Sequence, residues 1–342
     1  MKLLKTDLKN KVLQDMERIL DENRDELLQA NKKDLDAFNR DDQALYDRLV
    51  VDQNKVDQMI QAVKEVRLQD DPVNKEISTR ELDNGLKIIN RTAPFGTIMI
   101  IYESRPDVTV EAAVLAFKAN NKILLKGGKE AYHSNKALVK FWHQALTENG
   151  LSEDFIQFLE MDRTQTQEFL RNPDQDLDLI VPRGGERLIA FVKEHAKCAV
   201  LISGRGNNFL YVHKEADWEK SLKVILNAKT HKISACNALD KILMDTQIDG
   251  YEDKLKELQQ VLTANNVSII VDDEVKKVLT DEDTITDESI WQEEFLAMKC
   301  VIGAVNNIDE AVQMINKNSG GHSASIMTEN NDVAKTFMEN VD

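Results

Sequence analysis

Cysteine and proline are scarce in this sequence. Three cysteines occur in 342 residues, Cys198, Cys236 and Cys300, an odd number without CxxC or Cys/His ligand spacing. This usage argues against both a disulfide framework and structural zinc, and it fits a reducing cytoplasm. The five prolines and the lack of low-complexity stretches leave no evident linker between domains.

Long apolar runs, basic clusters and paired histidines are also missing. No run approaches the roughly 20 apolar residues that a bilayer-spanning helix needs, so we expect no membrane partner. The N-terminal helical pattern carries too many charges for a signal peptide. A net charge of −16 without a basic run argues against nucleic acid. The six histidines show no HExxH-type pairing, so we expect no bound metal.

The chain is long enough for two domains, each with its own core. After two amphipathic helical patterns, short apolar runs alternate with helical stretches. These runs lie at 97–102, 122–125, 155–159, 179–181, 199–202, 209–212, 267–271 and 301–305. Such alternation is typical of parallel sheets covered by helices, so we predict an α/β fold of two units that meet near residues 215–230.

A hairpin is predicted ahead of the first strand run. Residues 78–93 read STRELDNGLKIINRTA, with apolar residues on both sides of Asn84-Gly85. This dipeptide is a signal for a type I′ turn. We expect a β-hairpin that projects from the body.

Cys236 lies among small and polar residues in NAKTHKISACNALD, at 227–240. The cationic and imidazole side chains close before it are Lys229, His231 and Lys232. Nearby positive charge would lower the pKa of the thiol and enrich the nucleophilic thiolate. Cys198 and Cys300 adjoin apolar runs, where a thiol behaves as a small hydrophobe. Composition alone leaves a structural role for Cys236 open.

Five longer sequence motifs lie between residues 101 and 330. They are IYESRPDVTVEAA at 101–113, KILLKGGKEA at 122–131, LIVPRGGERLI at 179–189, NAKTHKISACNA at 227–238 and GGHSASIMTEN at 320–330. With these words, in this order, the sequence resembles the gamma-glutamyl phosphate reductase family of the aldehyde-dehydrogenase superfamily, whose members are also called glutamate-5-semialdehyde dehydrogenases.

The resemblance implies an aldehyde-dehydrogenase-like fold of two doubly wound α/β domains. A Rossmann-like NADP(H)-binding domain is expected at 1–225 and a catalytic domain at 226–342. Hairpin 78–93 is the implied oligomerisation element, which predicts a homo-oligomer. Because the family continues past the GHS segment with a strand that lines the active site, we expect the catalytic domain to be C-terminally incomplete, with cofactor binding retained and turnover low.

The implied reaction is the NADPH-dependent reduction of L-glutamyl 5-phosphate to L-glutamate 5-semialdehyde and phosphate, the second step of proline biosynthesis. Cys236 is the implied nucleophile, which carries the acyl group as a thioester. Glutamate 5-kinase is a candidate partner. Hydrolytic relatives use a glutamate to activate water; Ile202 stands at the aligned place, which favours a reductase.

The KGGKE word supplies the predicted adenosine-side contacts, Lys126, Gly128 and Lys129. In the superfamily the first lysine reaches the adenosine ribose, and members that prefer NAD carry a glutamate three positions later. Here that place holds Lys129, and a cation favours the 2′-phosphate of NADP. Without the family context, a solvated Gly-Gly turn is the preferred alternative.

Two further cofactor contacts are implied. The turn Arg183-Gly184-Gly185 follows an apolar run and suits the approach of a pyrophosphate, although Gly-Gly turns are common. Glu294 aligns with the glutamate that holds the nicotinamide ribose. Its alternative is an ordinary surface acid.

The predicted substrate ligands are Ser104, Arg105, Asn237 and His322. An arginine fork matches carboxylate geometry, so Arg105 and His322 are the candidates for the substrate carboxylates and phosphate. Either side chain could instead form a local ion pair or helix cap.

Two other functions stay open from the sequence. An acylating, coenzyme A-dependent aldehyde dehydrogenase would share the cysteine chemistry. An inactive, truncated homologue would bind nucleotide only. The YESRP and GHS words favour the acyl phosphate over coenzyme A, and retention of NAKTHKISACNA favours chemistry over its loss.

Overall fold

A computed structural model of the chain describes residues 2–39, 43–173, 175–202, 204, 206–233 and 235–342. The chain divides into two compact units, Met1–Ile202 and Ser203–Asp342. The division lies earlier than the boundary predicted after residue 225. The reason is that strand Asn208–Val212 pairs with strands of the second unit and so belongs to the second sheet.

The first unit combines a helical layer with a parallel sheet. Its helices are α1 (Thr6–Glu22), α2 (Arg24–Ala37), α3 (Gln43–Leu49), α4 (Gln53–Leu68), α5 (Pro106–Lys118), α6 (Tyr132–Glu148), α7 (Arg163–Arg171) and α8 (Glu186–His195). Its strands are β1 (Glu76–Glu81), β2 (Lys87–Arg91), β3 (Thr97–Tyr102), β4 (Lys122–Lys126), β5 (Ile156–Phe158), β6 (Leu179–Arg183) and β7 (Ala199–Val200). Short 3₁₀ helices occupy Lys129–Ala131 and Glu153–Phe155.

Strands β3 to β7 form a parallel sheet in the order β5-β4-β3-β6-β7. Alternate residues face two cores: Ile100 packs with Phe117 of α5 and Trp142 of α6, whereas Ile101 packs with Val192 of α8. Helices therefore cover both faces, as the alternation of runs predicts. Because the strand order reverses at β3, the turns after β3, β4 and β6 meet at the carboxyl edge, where such sheets bind ligands.

The predicted hairpin is present, with a different turn. Strands β1 and β2 pair antiparallel, and all their residues are exposed. Gly85 has a φ of 80°, but Asn84 does not adopt a positive φ. A type I′ turn requires positive φ at both central residues, so the predicted turn type is wrong. The loop closes instead through the Gly85 N–H, which donates to the Leu82 carbonyl at 2.8 Å.

The second unit is another parallel sheet with helices. Its helices are α9 (Trp218–Thr230), α10 (Tyr251–Ala264), α11 (Asp273–Lys276), α12 (Ile308–Asn318) and α13 (Asn331–Asn340), with a 3₁₀ helix at Glu288–Gln292. Its strands are β8 (Asn208–Val212), β9 (Leu239–Asp245), β10 (Ser268–Val271), β11 (Asp283–Thr284), β12 (Lys299–Val305) and β13 (Ala324–Met327), in the order β11-β10-β12-β9-β8-β13. In the described ranges, no helix is both long and apolar enough to span a membrane.

Each predicted apolar run overlaps a strand, but the sequence pattern missed β9, which lies inside the second sheet. Its sequence, LDKILMD, carries three charged residues that are all buried. Each has a partner: Asp240 pairs with Lys229, the Lys241 ammonium donates to the Glu293 carbonyl, and Asp245 accepts from Tyr211. A central strand is recognised in a sequence by a run of apolar residues. Because β9 contains buried charged residues that have partners, it lacks such a run.

The N-terminus of α6, which follows the KGGKE motif, is capped by a residue of α2. The buried Asp34 carboxylate accepts hydrogen bonds from the backbone N–H groups of His133 and Ser134, at 2.9 and 2.8 Å, and from the Ser134 hydroxyl at 2.6 Å. An acid at this place satisfies unpaired N–H groups and complements the helix dipole. Asp34 thus ties the helical layer to the helix beside the predicted cofactor site.

Replacing Asp34 with alanine should therefore destabilise the first unit. We expect Asp34→Ala to lower the free energy of unfolding by about 1–3 kcal/mol, because two helix N–H groups and a hydroxyl lose a buried acceptor. Asp36→Ala, an exposed position on the same helix, is the matched control. Urea unfolding of both variants measures the difference, and equal free energies would show that the cap contributes nothing.

Candidate active site

A cavity of about 1570 Å³ opens at the carboxyl edge of the first sheet. Its wall includes Ser104, which follows β3, Lys126 and Lys129 at and after β4, and Gly185 at the start of α8. The volume exceeds that of most small-molecule sites, which hold about 300–1,000 Å³, and so suits a ligand as large as a dinucleotide.

The predicted cofactor contacts divide into two groups. Lys126, Gly128, Lys129 and Gly185 line the cavity. Arg183 and Gly184 are not among the described residues that line it. Arg183 ends β6 with an exposed side chain, and a β-carbon on Gly184 would press against the Leu188 side chain at 2.9 Å. Gly184 is thus fixed by packing within the protein.

The two lysines of KGGKE differ in exposure. Lys126 is partly buried, and its ammonium donates to the Gly127 carbonyl at 2.7 Å. Burial lowers the pKa of Lys126, and the nearby Glu130 carboxylate offsets part of that effect. Lys129 opens the 3₁₀ helix with an exposed side chain at the cavity wall. Lys129 is therefore free to meet a charged group of a bound molecule.

Glu130 organises the same wall, and sequence reasoning missed it. One of its carboxylate oxygens accepts from the Ser104 backbone N–H at 2.7 Å and from the Ser104 hydroxyl at 3.0 Å. Ser104 has a φ of 40°, a left-handed conformation that this pair of bonds stabilises. A β-carbon on Gly128 would overlap the same carboxylate. The KGGKE turn and the turn after β3 are thus locked to each other.

The wall also leaves room for a bound phosphate. Gly185 is the N-cap residue of α8 and contributes no capping side chain, and a β-carbon there would meet nothing within 4 Å. The protein's own packing does not require a glycine at this place. An open helix N-terminus beside a glycine binds phosphate well. The residues of this cavity therefore fit a nicotinamide dinucleotide.

The predicted substrate ligand Arg105 makes a local contact. Its guanidinium lies 3.1 Å from the Asp107 carboxylate, which also pairs with the Lys55 ammonium at 3.1 Å. This is the local ion pair that the sequence left open as the alternative. A substrate contact of Arg105 stays a prediction.

The three cysteines occupy very different surroundings. Cys236 is exposed, in the turn between α9 and β9. Cys198 is partly buried, and burial raises the pKa of its thiol. Cys300 is fully buried in β12, where burial raises the pKa of its thiol to about 12. Of the three, Cys236 is the most exposed to a dissolved reactant, and the exposed Asn237 lies beside it.

Lys229, which the sequence suggested as an activator of the thiol, has another partner. Its ammonium lies 3.0 Å from the Asp240 carboxylate, and the two side chains are 1% and 3% exposed. The second Asp240 oxygen accepts from the Phe295 backbone N–H at 2.9 Å. This buried ion pair therefore joins the two ends of the Cys236 turn to the segment that carries Glu294.

Three of the predicted site residues meet around the glycines that precede β8. A β-carbon on Gly206 would overlap both the Glu294 carboxylate and the Cys236 carbonyl. One on Gly204 would overlap the backbone at Gly320 to His322. The predicted nucleophile, the predicted ribose ligand and the GHS segment thus lie together at the amino edge of the second sheet.

The sequence matches the aldehyde dehydrogenase family over residues 1–276. The gamma-glutamyl phosphate reductase of Thermotoga maritima is 38% identical over 337 residues, which cover 98% of this chain and 80% of that relative. The gamma-glutamyl phosphate reductase of Aquifex aeolicus is 35% identical over 348 residues, with coverage of 99% and 80%.

Solved structures agree with these matches. The crystal structure of the Thermotoga maritima enzyme superposes with a TM-score of 0.92 at 37% identity, covering 99% of this chain and 82% of that one. A propionaldehyde dehydrogenase from Clostridium phytofermentans superposes with a TM-score of 0.68 at 15% identity, covering 100% and 82%, and this likeness concerns the fold alone. The predicted aldehyde-dehydrogenase-like fold is confirmed.

One buried cation near the Cys236 turn makes stability depend on pH. The Lys241 ammonium donates to the Glu293 carbonyl at 2.7 Å and lies 3.8 Å from the centre of the Phe295 ring. Burial lowers the pKa of Lys241 to about 8. The folded chain thus binds fewer protons than the unfolded chain between that pH and the ordinary lysine pKa of about 10.4. Stability should rise with pH across this window.

We expect Lys241→Met to remove this dependence. The unfolding free energy of the wild type minus that of Lys241→Met should rise by about 1–3 kcal/mol between pH 7 and pH 10, because the burial cost of the charge disappears once Lys241 is neutral. Lys223→Met, at an exposed position of α9, is the control, for which the same difference should stay flat. A flat difference for Lys241 would mean that its ammonium is not desolvated.

Proposed function

Since the chain belongs to the aldehyde dehydrogenase family and, within it, to the gamma-glutamyl phosphate reductases, we propose that it reduces L-glutamyl 5-phosphate to L-glutamate 5-semialdehyde and phosphate. The chain is an oxidoreductase that acts on an aldehyde or its acyl equivalent. Its proposed place is the second step of proline biosynthesis. NADPH is the proposed reductant.

One observation carries this proposal. The exposed Cys236 and Glu294 lie against Gly206, and the segment around His322 lies against Gly204, although the three are far apart in the sequence. A nucleophile must be accessible to attack a dissolved acyl phosphate; Cys236 is exposed, whereas Cys198 is partly buried and Cys300 is fully buried. The exposed cysteine thus lies close to one predicted cofactor ligand, Glu294, and to the segment of one predicted substrate ligand, His322.

In the first step the Cys236 thiolate attacks the γ-acyl carbon. A carbon–sulfur bond forms, the bond from that carbon to the phosphate oxygen breaks, and phosphate leaves with the electron pair. The oxyanion that forms in between requires fixed donors, for which backbone N–H groups beside Cys236 are the candidates. Phosphate is a good leaving group, so the departing oxygen needs no further activation.

In the second step the acyl group stays on Cys236 as a thioester. When bound, NADPH supplies the hydride that reduces this thioester. In the first unit, Lys126, Lys129 and Gly185 are the proposed holders of the cofactor. In the second unit, Glu294 is the proposed contact of the nicotinamide ribose. The tetrahedral adduct on Cys236 then collapses: the carbon–sulfur bond breaks, the aldehyde leaves, and the thiolate is restored.

Association of subunits is proposed through the hairpin of β1 and β2. Its exposed apolar side chains are Ile77, Leu86, Ile88 and Ile89. A monomer gains nothing from a two-stranded ribbon that displays apolar residues to water, whereas a second copy would bury them. The proposed partner is glutamate 5-kinase, and the proposed location is the cytoplasm.

A coupled assay in the reverse direction tests the proposal. L-Glutamate 5-semialdehyde and NADP+ are supplied with phosphate, or with coenzyme A, and formation of NADPH is followed by absorbance. Phosphate-dependent NADPH formation is expected. Coenzyme A dependence would instead favour the acylating dehydrogenase, and no reduction with either acceptor would favour a homologue that only binds nucleotide.

Replacing the nucleophile should abolish the reaction. We expect Cys236→Ser to lower kcat in this assay by at least about a thousandfold, because a serine hydroxyl without a base is a poor nucleophile. Cys198→Ser, which changes a thiol outside the site, should retain most of the activity. If Cys236→Ser kept a substantial share of turnover, another residue would have to carry the acyl group.

Reversing the charge at Lys129 should alter cofactor choice. A carboxylate there would repel the 2′-phosphate of NADP and accept from the ribose hydroxyls of NAD. We expect Lys129→Glu to shift the ratio of kcat/KM for the two cofactors toward NAD by about 1–3 kcal/mol, the range of one charge-assisted hydrogen bond. Lys64→Glu, an exposed site on α4 with the same change in net charge, is the control. An unchanged ratio would place Lys129 away from the 2′ position.

A further inference from the structure

Three neighbouring strands of the second sheet begin side by side. Strand β8 lies between β9 and β13, and all three run parallel. Asn208 is the first residue of β8 and stands in register with Leu239 of β9, while its successor Phe209 stands in register with Ala324 of β13. The residues just before β9 and β13 therefore flank Asn208 from its two sides. One side chain at this place can reach both.

The Asn208 side chain forms hydrogen bonds to the segments on both of its sides. Its amide nitrogen lies 2.8 Å from each of three backbone carbonyl oxygens, those of Gly206, Cys236 and Ala238. Its amide oxygen accepts from the Ser323 hydroxyl at 2.5 Å. Asn208 is 4% exposed. A single buried amide thus bonds to the turn of the nucleophile on one side and to the GHS segment on the other.

The chemistry of these partners fixes which end of the amide faces the cysteine. Carbonyl oxygens only accept hydrogen bonds, so the atom that faces all three must be the NH₂ group. The flipped amide would direct its oxygen against three carbonyl oxygens. Ser323 can donate its hydroxyl to the opposite end. In this orientation the two N–H bonds are shared among the three carbonyl oxygens and the amide oxygen accepts from Ser323, whereas the flipped amide could donate to none of the carbonyls.

We propose that Asn208 is a positioning residue that holds the backbone of the Cys236 turn, and with it the thiol, in the geometry from which Cys236 attacks. This inference rests on the proposed function for its catalytic meaning. The Lys229–Asp240 ion pair ties the outer ends of the turn, and Asn208 bonds on both sides of Asn237, at Cys236 and Ala238. Since Ser323 adjoins His322, the same amide also sets the GHS segment relative to the nucleophile.

The test uses two substitutions of Asn208. Asn208→Ala removes the donor, and Asn208→Asp places an acceptor against three carbonyls. At high pH the aspartate is charged and repels them; protonation at lower pH restores one donor. We expect Asn208→Ala to lower kcat for semialdehyde oxidation by about ten- to a hundredfold with KM little changed, since a small misplacement of the reacting group costs that much.

A second readout does not depend on the enzyme reaction. The rate at which iodoacetamide alkylates Cys236 is measured against pH in a Cys198→Ser background, where the remaining Cys300 is fully buried. At pH values where the thiol is still mostly protonated, we expect the ratio of the Asn208→Asp rate to the wild-type rate to fall as the new acid ionises, because its carboxylate beside the Cys236 carbonyl opposes the thiolate. The ratio should approach one at low pH, where the acid is neutral.

Two further variants guard against loss of the fold. Ser323→Ala removes the hydroxyl bound by the Asn208 oxygen at an exposed residue. It should lower kcat by about two- to tenfold, the value of one hydrogen bond. Asn31→Ala is the matched control: Asn31 is 1% exposed and bonds to the backbone at Leu49 and Val51 in the first unit. It should lower the melting temperature without altering the alkylation profile.

The outcomes separate this inference from the proposed function. Identical alkylation profiles for the wild type, Asn208→Asp and Asn208→Ala, together with an unchanged kcat for Ser323→Ala, would overturn the positioning role. A wild type without phosphate-dependent activity would overturn the proposed function. In that case, a pH-dependent ratio of the Asn208→Asp alkylation rate to the wild-type rate would still support the conclusion that Asn208 positions the Cys236 turn.

Discussion

The parallel pairing of β8 with β9 and β13 is the constraint on which the candidate site of the second unit depends. Parallel strands begin at the same edge of a sheet, so the segments that precede them are brought together. Those segments carry Gly206, Cys236 and the GHS word, which are remote from one another in the sequence. Once the strands pair, only short-range contacts are required to complete the site, and Asn208 at the start of the middle strand supplies them.

In the first unit, parallel pairing brings loops together at the opposite ends of the strands. There the turns after β3, β4 and β6 meet at the carboxyl edge and form the cavity wall. Glu130 plays a part like that of Asn208, because its carboxylate joins the KGGKE turn to Ser104 in the neighbouring turn. In both units a polar side chain at a strand boundary locks two loops that the sheet has brought side by side.

The sequence predicted the features that depend on local residue patterns. Apolar runs predicted most strands, and the polar surroundings of Cys236 marked it among three cysteines. It missed β9, because the partners of Asp240 and Lys241 are distant in the sequence and a charged strand does not resemble a buried one. For the same reason Asn208 and Glu130 gave no signal: each is an ordinary polar residue until the fold supplies its acceptors and donors. The unit boundary was set too late because the pairing partner of β8 follows it in the chain.

A direct test of the account is to trap the acyl group on the protein. The chain is incubated with L-glutamate 5-semialdehyde and NADP+ in the absence of phosphate, quenched in acid, digested and examined by mass spectrometry. We predict a glutamyl thioester on the peptide that contains Cys236, and its loss when phosphate is added before the quench. Turnover with Cys236 unmodified, or an acyl group on a different residue, would contradict the account.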